Sequence, residues 1–480
     1  MKTAAFNPYL PSYEYVPDGE PYVFDDRLYI FGSHDRFGGT EFCMNDYVGW
    51  SAPVDDLGSW RYEGVIYQAT QDPLNADGSQ HLFAPDVQQG DDGRYYLFYC
   101  LHRTSAVCVA VSDTPAGKYE FYGHVKYEDG SLYGANRTKK DVFNFDPGVL
   151  RDTDGTYYLY TGFSPNPGMM REMMSKALLI DGSYCVKLDK DMLTVKSEPK
   201  LVAPCESVAQ GTGFEGHGFY EASSPRKIGD TYYLVYSSVK SHDLCYATCD
   251  TPDGEYKYGG VIMSNGDVGL VSDEEAIAYT GNNHGGLVEI NGSWYIFGHR
   301  QTNRNTFSRQ GIAEKITILE DGTIPQVEVT SCGLNGEPLP GNGTYEARIA
   351  CNLSSKSGTL QYGSDTEVGE EHPYFTQSGE DRECDGDQYI ANLRDGAWAG
   401  FKYFDFDEQS HIAVTVRGTG SGTIEVRNVR GGETVAKITI LPSTEWTTYQ
   451  AEFTPKSGKQ ALYFTFVGEG NVDFCEFLMK

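Results

Sequence analysis

The sequence contains no run of about 18 consecutive apolar residues, so no stretch has the length of a bilayer-spanning apolar helix. It has no CxxC pair and no cluster of histidines, which removes the usual spacing of a zinc site. Positive charge is scarce: 38 Lys and Arg stand against 68 Asp and Glu, for a formal charge of -30. The acidic residues are scattered rather than gathered in a tail, so the surface as a whole repels polyanions. Nucleic acid, anionic membrane and acidic polysaccharide are therefore poor partners, whereas neutral sugars are unaffected. Tryptophan is rare, with 5 copies, but 35 Tyr, 24 Phe and 55 Gly favour pleated strands and tight turns over helices.

Eleven cysteines, an odd number, are spread along the chain, and reduced thiols are the simplest expectation. The first ten residues, MKTAAFNPYL, lack the apolar core of a secretory leader, so a cytoplasmic protein is expected unless a leader has been removed. At 480 residues the chain exceeds one ordinary core, which predicts a large domain with a smaller one.

The strongest internal signal is an aromatic strand that follows a short turn of Asp, Gly or Asn, and it occurs five times. The copies lead into Tyr29, Tyr96, Tyr158, Tyr233 and Tyr295, with separations of 67, 62, 75 and 62 residues. Each reads as a hairpin whose turn residues tolerate left-handed backbone. Asp113-Thr114-Pro115-Ala116-Gly117-Lys118-Tyr119 and Asp250-Thr251-Pro252-Asp253-Gly254-Glu255-Tyr256 read as one outer turn used twice. Repeats of this length suit four-stranded blades, and five of them predict a five-bladed β-propeller over residues 1–325. Residues 320–352 are dense in Gly, Pro and Asn, and beyond them alternating runs such as His411–Val416 and Ala461–Phe466 predict a β-sandwich within residues 326–480. The fold class is all-β throughout.

About 10 to 12 residues ahead of each repeat tyrosine stands a polar residue in a Pro- or Gly-containing context: Asp18, Asp86, Asp146, Glu221 and His284. In a propeller the innermost strands line a central channel, so equivalent positions converge on one axis. Buried like charges without a task are costly, and a ring of four carboxylates and a histidine points to catalysis or ion binding. Two carboxylates flanking a sugar, one protonated and one ionised, are what glycoside hydrolysis requires, and a third can raise the acid's pKa.

These motifs resemble glycoside hydrolase family 43. The resemblance rests on Asn7-Pro8 with Pro17-Asp18-Gly19, on Phe83-Ala84-Pro85-Asp86-Val87, on Phe145-Asp146-Pro147-Gly148, on Glu221-Ala222-Ser223-Ser224-Pro225, and on Asn283-His284-Gly285 with His299-Arg300. It implies a five-bladed propeller in which Asp18 is the general base, Glu221 the general acid and Asp146 the residue that holds the acid's pKa up, with inversion at the anomeric carbon. Phe83 and Asp86 would line the sugar site, Arg300 would approach the acid and the substrate, and His284 would lie on the axis next to a structural calcium ion. No other cofactor is implied. Glu20 is a rival to Asp18, because the first motif departs from the family's Asp-Pro. The C-terminal segment resembles a family 6 carbohydrate-binding module through Asp395–Tyr403 and Gly470–Phe474, with Trp398 free to stack on sugar and Trp446 expected in the core. The implied substrates are arabinose- or xylose-containing oligosaccharides or polysaccharides, attacked by an exo-acting α-L-arabinofuranosidase or β-xylosidase. A non-catalytic sugar-binding propeller, or a related glycosidase of galactans or fructosides, is the alternative.

Overall fold

The five hairpin turns adopt the left-handed backbone that their composition predicts, at Asp25, Gly93, Gly155, Gly229 and the pair Asn291 and Gly292. The computed structural model describes residues 3–135, 141–270, 275–363, 365–382 and 387–480. Each turn joins the innermost strand of a blade to its second strand, as in the pairing of Glu20–Phe24 with Arg27–Phe31. Four antiparallel sheets of four strands cover residues 20–67, 86–124, 148–204 and 219–263, and a fifth sheet of three strands covers residues 287–316.

The aromatic and branched residues of these strands are buried between blades. Tyr96 and Phe98 of the second blade pack with Leu159 and Val186 of the third, and Leu234 and Tyr236 of the fourth pack with Tyr160 of the third. Phe297 and Ala313 of the fifth blade share a cluster with Ile30 and Trp50 of the first, so the ring of interblade cores is closed. The N-terminal segment reinforces that closure along the last strand, Gln310–Ile316. Asn7 donates to the Ala313 carbonyl (3.0 Å) and accepts from the Ala313 amide (3.0 Å), and the Tyr9 amide donates to Gly311 (3.4 Å).

The second unit is a sandwich of two six-stranded sheets, with Phe401, Phe404, Phe464, Phe474 and Phe477 at the centre of its core. Its first strands, Leu339–Pro340, Gly343–Glu346 and Asn352–Ser354, lie well before the aromatic runs read from the sequence. The stretch between the units is docked rather than free: the Val327 amide donates to Ile262 (2.8 Å) and the Val329 amide to Asp267 (2.8 Å). Trp446 is not in the core. It is half-buried on the sheet face, edge-on to Tyr389 and beneath the Arg417 guanidinium. Ten cysteines are unpaired, and the eleventh, Cys384, lies outside the described residues.

Candidate active site

Asp18 and Asp146 each stand two residues ahead of the innermost strand of their blade, and both hold positive φ, 57° and 46°. Asp tolerates this left-handed conformation better than bulkier residues do, and such backbone is characteristic of functional sites. Glu221 lies in Phe219–Ile228, where the pairing register shifts on either side of it and Ala222 has a φ of 70°. A bulge of this kind re-aims a side chain out of the strand's ordinary alternation. The three carboxylates thereby reach one pocket of about 600 Å³ at the channel mouth, together with Phe83 and His284.

Asp18 is buried, and Arg309 Nη1 stands 3.0 Å from its Oδ1. The guanidinium is fixed from behind by Asp35, through Nε to Oδ2 at 2.8 Å and Nη2 to Oδ1 at 3.0 Å. Burial pushes the Asp18 carboxyl up, but the Arg309 charge, aided by the protonated His284, outweighs burial and holds it below the usual carboxylate range. His299 accepts from the Asp18 amide at Nδ1 (3.3 Å) and donates from Nε2 to the Asn282 carbonyl (2.7 Å). Burial drives its pKa down to about 3, so the ring is neutral and keeps that tautomer.

Glu221 behaves in the opposite sense. Burial, then the charges of Asp146 and Asp18, push its pKa up to about 8. Asp146 is itself raised to about 7, by burial and by Asp18 against the opposing pull of His284. His242 Nδ1 lies 3.7 Å from Glu221 Oε1 and 3.1 Å from Ser237 Oγ. Burial takes its pKa down to about 4, so it sits beside the acid as a neutral ring and does not drive it to ionise. One pocket therefore contains one carboxylate held ionised and another held protonated, the division of labour that acid–base chemistry requires.

Two residues expected at the sugar lie elsewhere. Asp86 is the first residue of its strand, buried between blades, where it accepts from Tyr22 Oη (2.6 Å) and from the Val149 amide (2.7 Å). The position matching Asp18 and Asp146, two residues ahead of the strand, is Ala84, and Ala84 lines the pocket. Glu20, the rival base, also begins its strand, and its carboxylate is taken up by Arg226 Nη2 (2.6 Å) and Ser224 Oγ (3.0 Å). Arg300 points away from the pocket: it donates to the carbonyls of Arg348 (2.7 Å) and Ala350 (3.1 Å) and stacks on Phe375. The reason is strand alternation, for His299 faces Asp18 and its neighbour must face the other side. The arginine that lines the pocket is Arg309, and it pairs with Asp18, the expected base, rather than with the acid.

Much of the remaining wall is aromatic. Phe83 meets Phe145 edge-on at 5.4 Å, Phe145 meets Phe163 at 5.1 Å, and Phe163 meets Tyr220 at 5.5 Å, forming an arc across three blades. Such rings offer apolar faces to the C–H side of a sugar. Phe145 and Tyr220 each directly precede a pocket carboxylate, an aromatic–acid doublet visible in the sequence. Phe163, His242 and Arg309 follow their strands in loops and carry no such signal.

A family model described as Glycosyl hydrolases family 43 matches residues 17–324, and one described as Carbohydrate binding module (family 6) matches residues 373–478. A xylosidase/arabinosidase of Thermoclostridium stercorarium is 52% identical over 486 aligned residues, covering 100% of this chain and 99% of that protein. A solved β-xylosidase/α-arabinofuranosidase from a compost microbial metagenome, in a calcium-free complex with xylotriose, is 28% identical at a TM-score of 0.52, covering 68% of this chain and 98% of its own. An arabinoxylan arabinofuranohydrolase from Bacillus subtilis, solved with cellotetraose, covers 99% of this chain and 97% of its own at a TM-score of 0.51 and 20% identity, a likeness of fold.

Proposed function

The chain belongs to glycosyl hydrolases family 43, and from that premise we propose that it is an inverting, exo-acting α-L-arabinofuranosidase and β-xylosidase on hemicellulose-derived glycans. The observation that carries the reading is the opposite protonation of Asp18 and Glu221 within one pocket. Glu221 donates its proton to the glycosidic oxygen as the bond to the anomeric carbon breaks. Asp18 takes a proton from a water whose oxygen bonds that carbon from the opposite face, so the configuration inverts. Arg309 keeps Asp18 ionised and in place. The pentose specificity is supported by the full-length similarity to the Thermoclostridium protein, whose name is xylosidase/arabinosidase.

The test is release of sugar from aryl α-L-arabinofuranoside and aryl β-D-xyloside, with proton NMR of the first-formed anomer. The expected product is the inverted pentose. A retained anomer would remove Asp18 from the base role, and turnover only of galactosides or fructosides would replace the substrate class.

The pH profile carries a second expectation. Glu221 works protonated, so activity should fall on the alkaline side with an apparent pKa near 8, a value that belongs to the interacting carboxylates together. After burial, the Asp146 charge is the next cause of that elevation. Asp146→Asn removes the charge, lowers the pKa of Glu221 and should move the alkaline limb to lower pH. An unmoved limb with reduced kcat would leave Asp146 a role in positioning alone.

The calcium ion implied by the resemblance would be held beside His284, which lines the pocket between two carboxylates. Calcium takes about six to eight oxygen ligands. The imidazole has Glu20 Oε1 at 3.4 Å from Nε2 and Asp146 Oδ2 at 3.6 Å from Nδ1; Arg226 takes only Glu20 Oε2, and Oε1 is buried without a hydrogen-bond partner, a ligand oxygen that an ion could use. Burial opposes protonation, yet these carboxylates and Asp18 raise the ring's pKa to about 9, so the site favours positive charge. Among the described residues, the one group of three metal-type donors within 4.8 Å of one another is Asp72, Cys108 and His124, on the second blade.

A further inference from the structure

The pocket is not made by the propeller alone. Gln361, Tyr362, Gly363 and Thr366 line it, and they follow Asn352–Ser354, a strand that pairs with Trp398–Phe406 of the sandwich. Backbone contacts bind this segment to the propeller. The Thr280 amide donates to Leu360 (3.3 Å), the Tyr362 amide donates to Thr280 (2.6 Å), and Tyr362 Oη donates to the Asn303 carbonyl (2.8 Å). Thr280 stands two residues ahead of Asn282, whose carbonyl orients His299 and through it Asp18. The segment is thus attached to the frame of the catalytic floor.

Depth within the pocket follows exposure. Asp18, Asp146 and His284 are buried at the bottom, whereas Met170 is 60% exposed and Gln361 is exposed. An exo-acting enzyme places the released sugar at the bottom and the rest of the substrate at the mouth. The Gln361 side-chain amide has no hydrogen-bond partner among the described residues, while Thr366 Oγ1 is engaged by the Gly363 amide (2.9 Å). A free carboxamide offers one acceptor and two donor positions, a match for the neighbouring hydroxyls of a neutral sugar.

We propose that residues 361–363 and Thr366 of the second unit form the leaving-group subsite, with Gln361 hydrogen-bonding the sugar unit beyond the scissile bond. The proposal rests on the reading of Asp18 and Glu221 as the groups that flank that bond. It makes the sandwich part of the substrate site, so the choice between a short and a long leaving group is decided by a residue outside the propeller.

The experiment uses the full chain with Gln361→Ala, on an aryl pentoside and on the xylo- or arabinoxylo-oligosaccharide that releases the same sugar. Loss of one net hydrogen bond should lower kcat/KM on the oligosaccharide by about five- to tenfold and leave the aryl glycoside within about twofold. Equal losses on both substrates, or no loss on either, overturn the proposal. The melting temperature, expected to be unchanged for an exposed residue, separates a contact from a folding defect. If the wild type turns over neither pentoside, the pentose reading fails by itself. The same comparison is then made on the aryl glycoside that is hydrolysed and its matching oligosaccharide, and it still decides the role of Gln361.

Discussion

Glu221→Gln should lower kcat on an oligosaccharide by about 10²- to 10⁴-fold, the usual contribution of a positioned general acid, and should cost far less on an aryl glycoside with an acidic phenol. A phenolate departs without protonation, whereas a sugar alkoxide does not, so the size of the defect should track the basicity of the leaving group. The alkaline limb assigned to Glu221 should disappear in the same variant, because the amide does not titrate. Asp18→Asn should behave differently: water must be activated whatever group departs, so both substrates should lose activity alike. If Glu221→Gln and Asp18→Asn gave the same pattern across leaving groups, the acid and base assignments would have no support.

A chain ended after residue 325 should fail to give a soluble, folded propeller. The cut leaves Asp267, which is buried, without Lys402, whose Nζ stands 3.1 Å from its carboxylate. It leaves Glu14, also buried, without Arg382 at 2.7 Å, and Arg300 without the two carbonyls that accept from it. Breaking a buried pair by removing one partner costs about 3–5 kcal/mol, and a whole domain is stable by only about 5–15 kcal/mol. The loss at Asp267 is of this kind, and although Glu14 keeps His34 and Trp50 and Arg300 keeps Gln310, the three losses together erode that margin. Circular dichroism and a thermal melt of the truncated chain check the expectation. A cooperative melt with activity on aryl glycosides would show that the propeller stands alone.

The blades were legible because each hairpin carries its own turn chemistry, and left-handed backbone at Asp25, Gly93, Gly155, Gly229 and Asn291 is a local property. Asp18, Asp146 and Glu221 were legible from their offset to the repeat tyrosines. The offsets of 11 and 12 point to Pro85 or Ala84 rather than to Asp86, which stands 10 residues ahead of Tyr96, and strand alternation applied to His299 turns Arg300 away. A charge within a motif says what a side chain can do, whereas strand position says which way it points, and for Asp86 and Arg300 the two differ. Arg309, His242 and Gln361 are a different case. They lie on loops: that of Arg309 is set by Asp35, 274 places away, that of Gln361 by Thr280, 81 places away, and His242 sits in a hairpin turn with no motif of its own, so no local pattern announces them. The early strands of the sandwich were hidden for the same reason: Leu339–Pro340 and Asn352–Ser354 are too short to show alternation.

The hydrogen bonds of Asn7 and Tyr9 to the last blade set the order in which the protein can be finished. During synthesis the first residues wait for partners at Gly311, Ala313 and Ser331, which leave the ribosome only after more than three hundred others. Until then the outward face of the first blade, with Ile30 and Trp50, has no fifth blade to cover it. Domains emerging from the ribosome ordinarily fold from the N-terminal end. Here the segment of Asn7 and Tyr9 is secured only when the fifth blade and Ser331 are made, and the first blade keeps an open apolar edge until then.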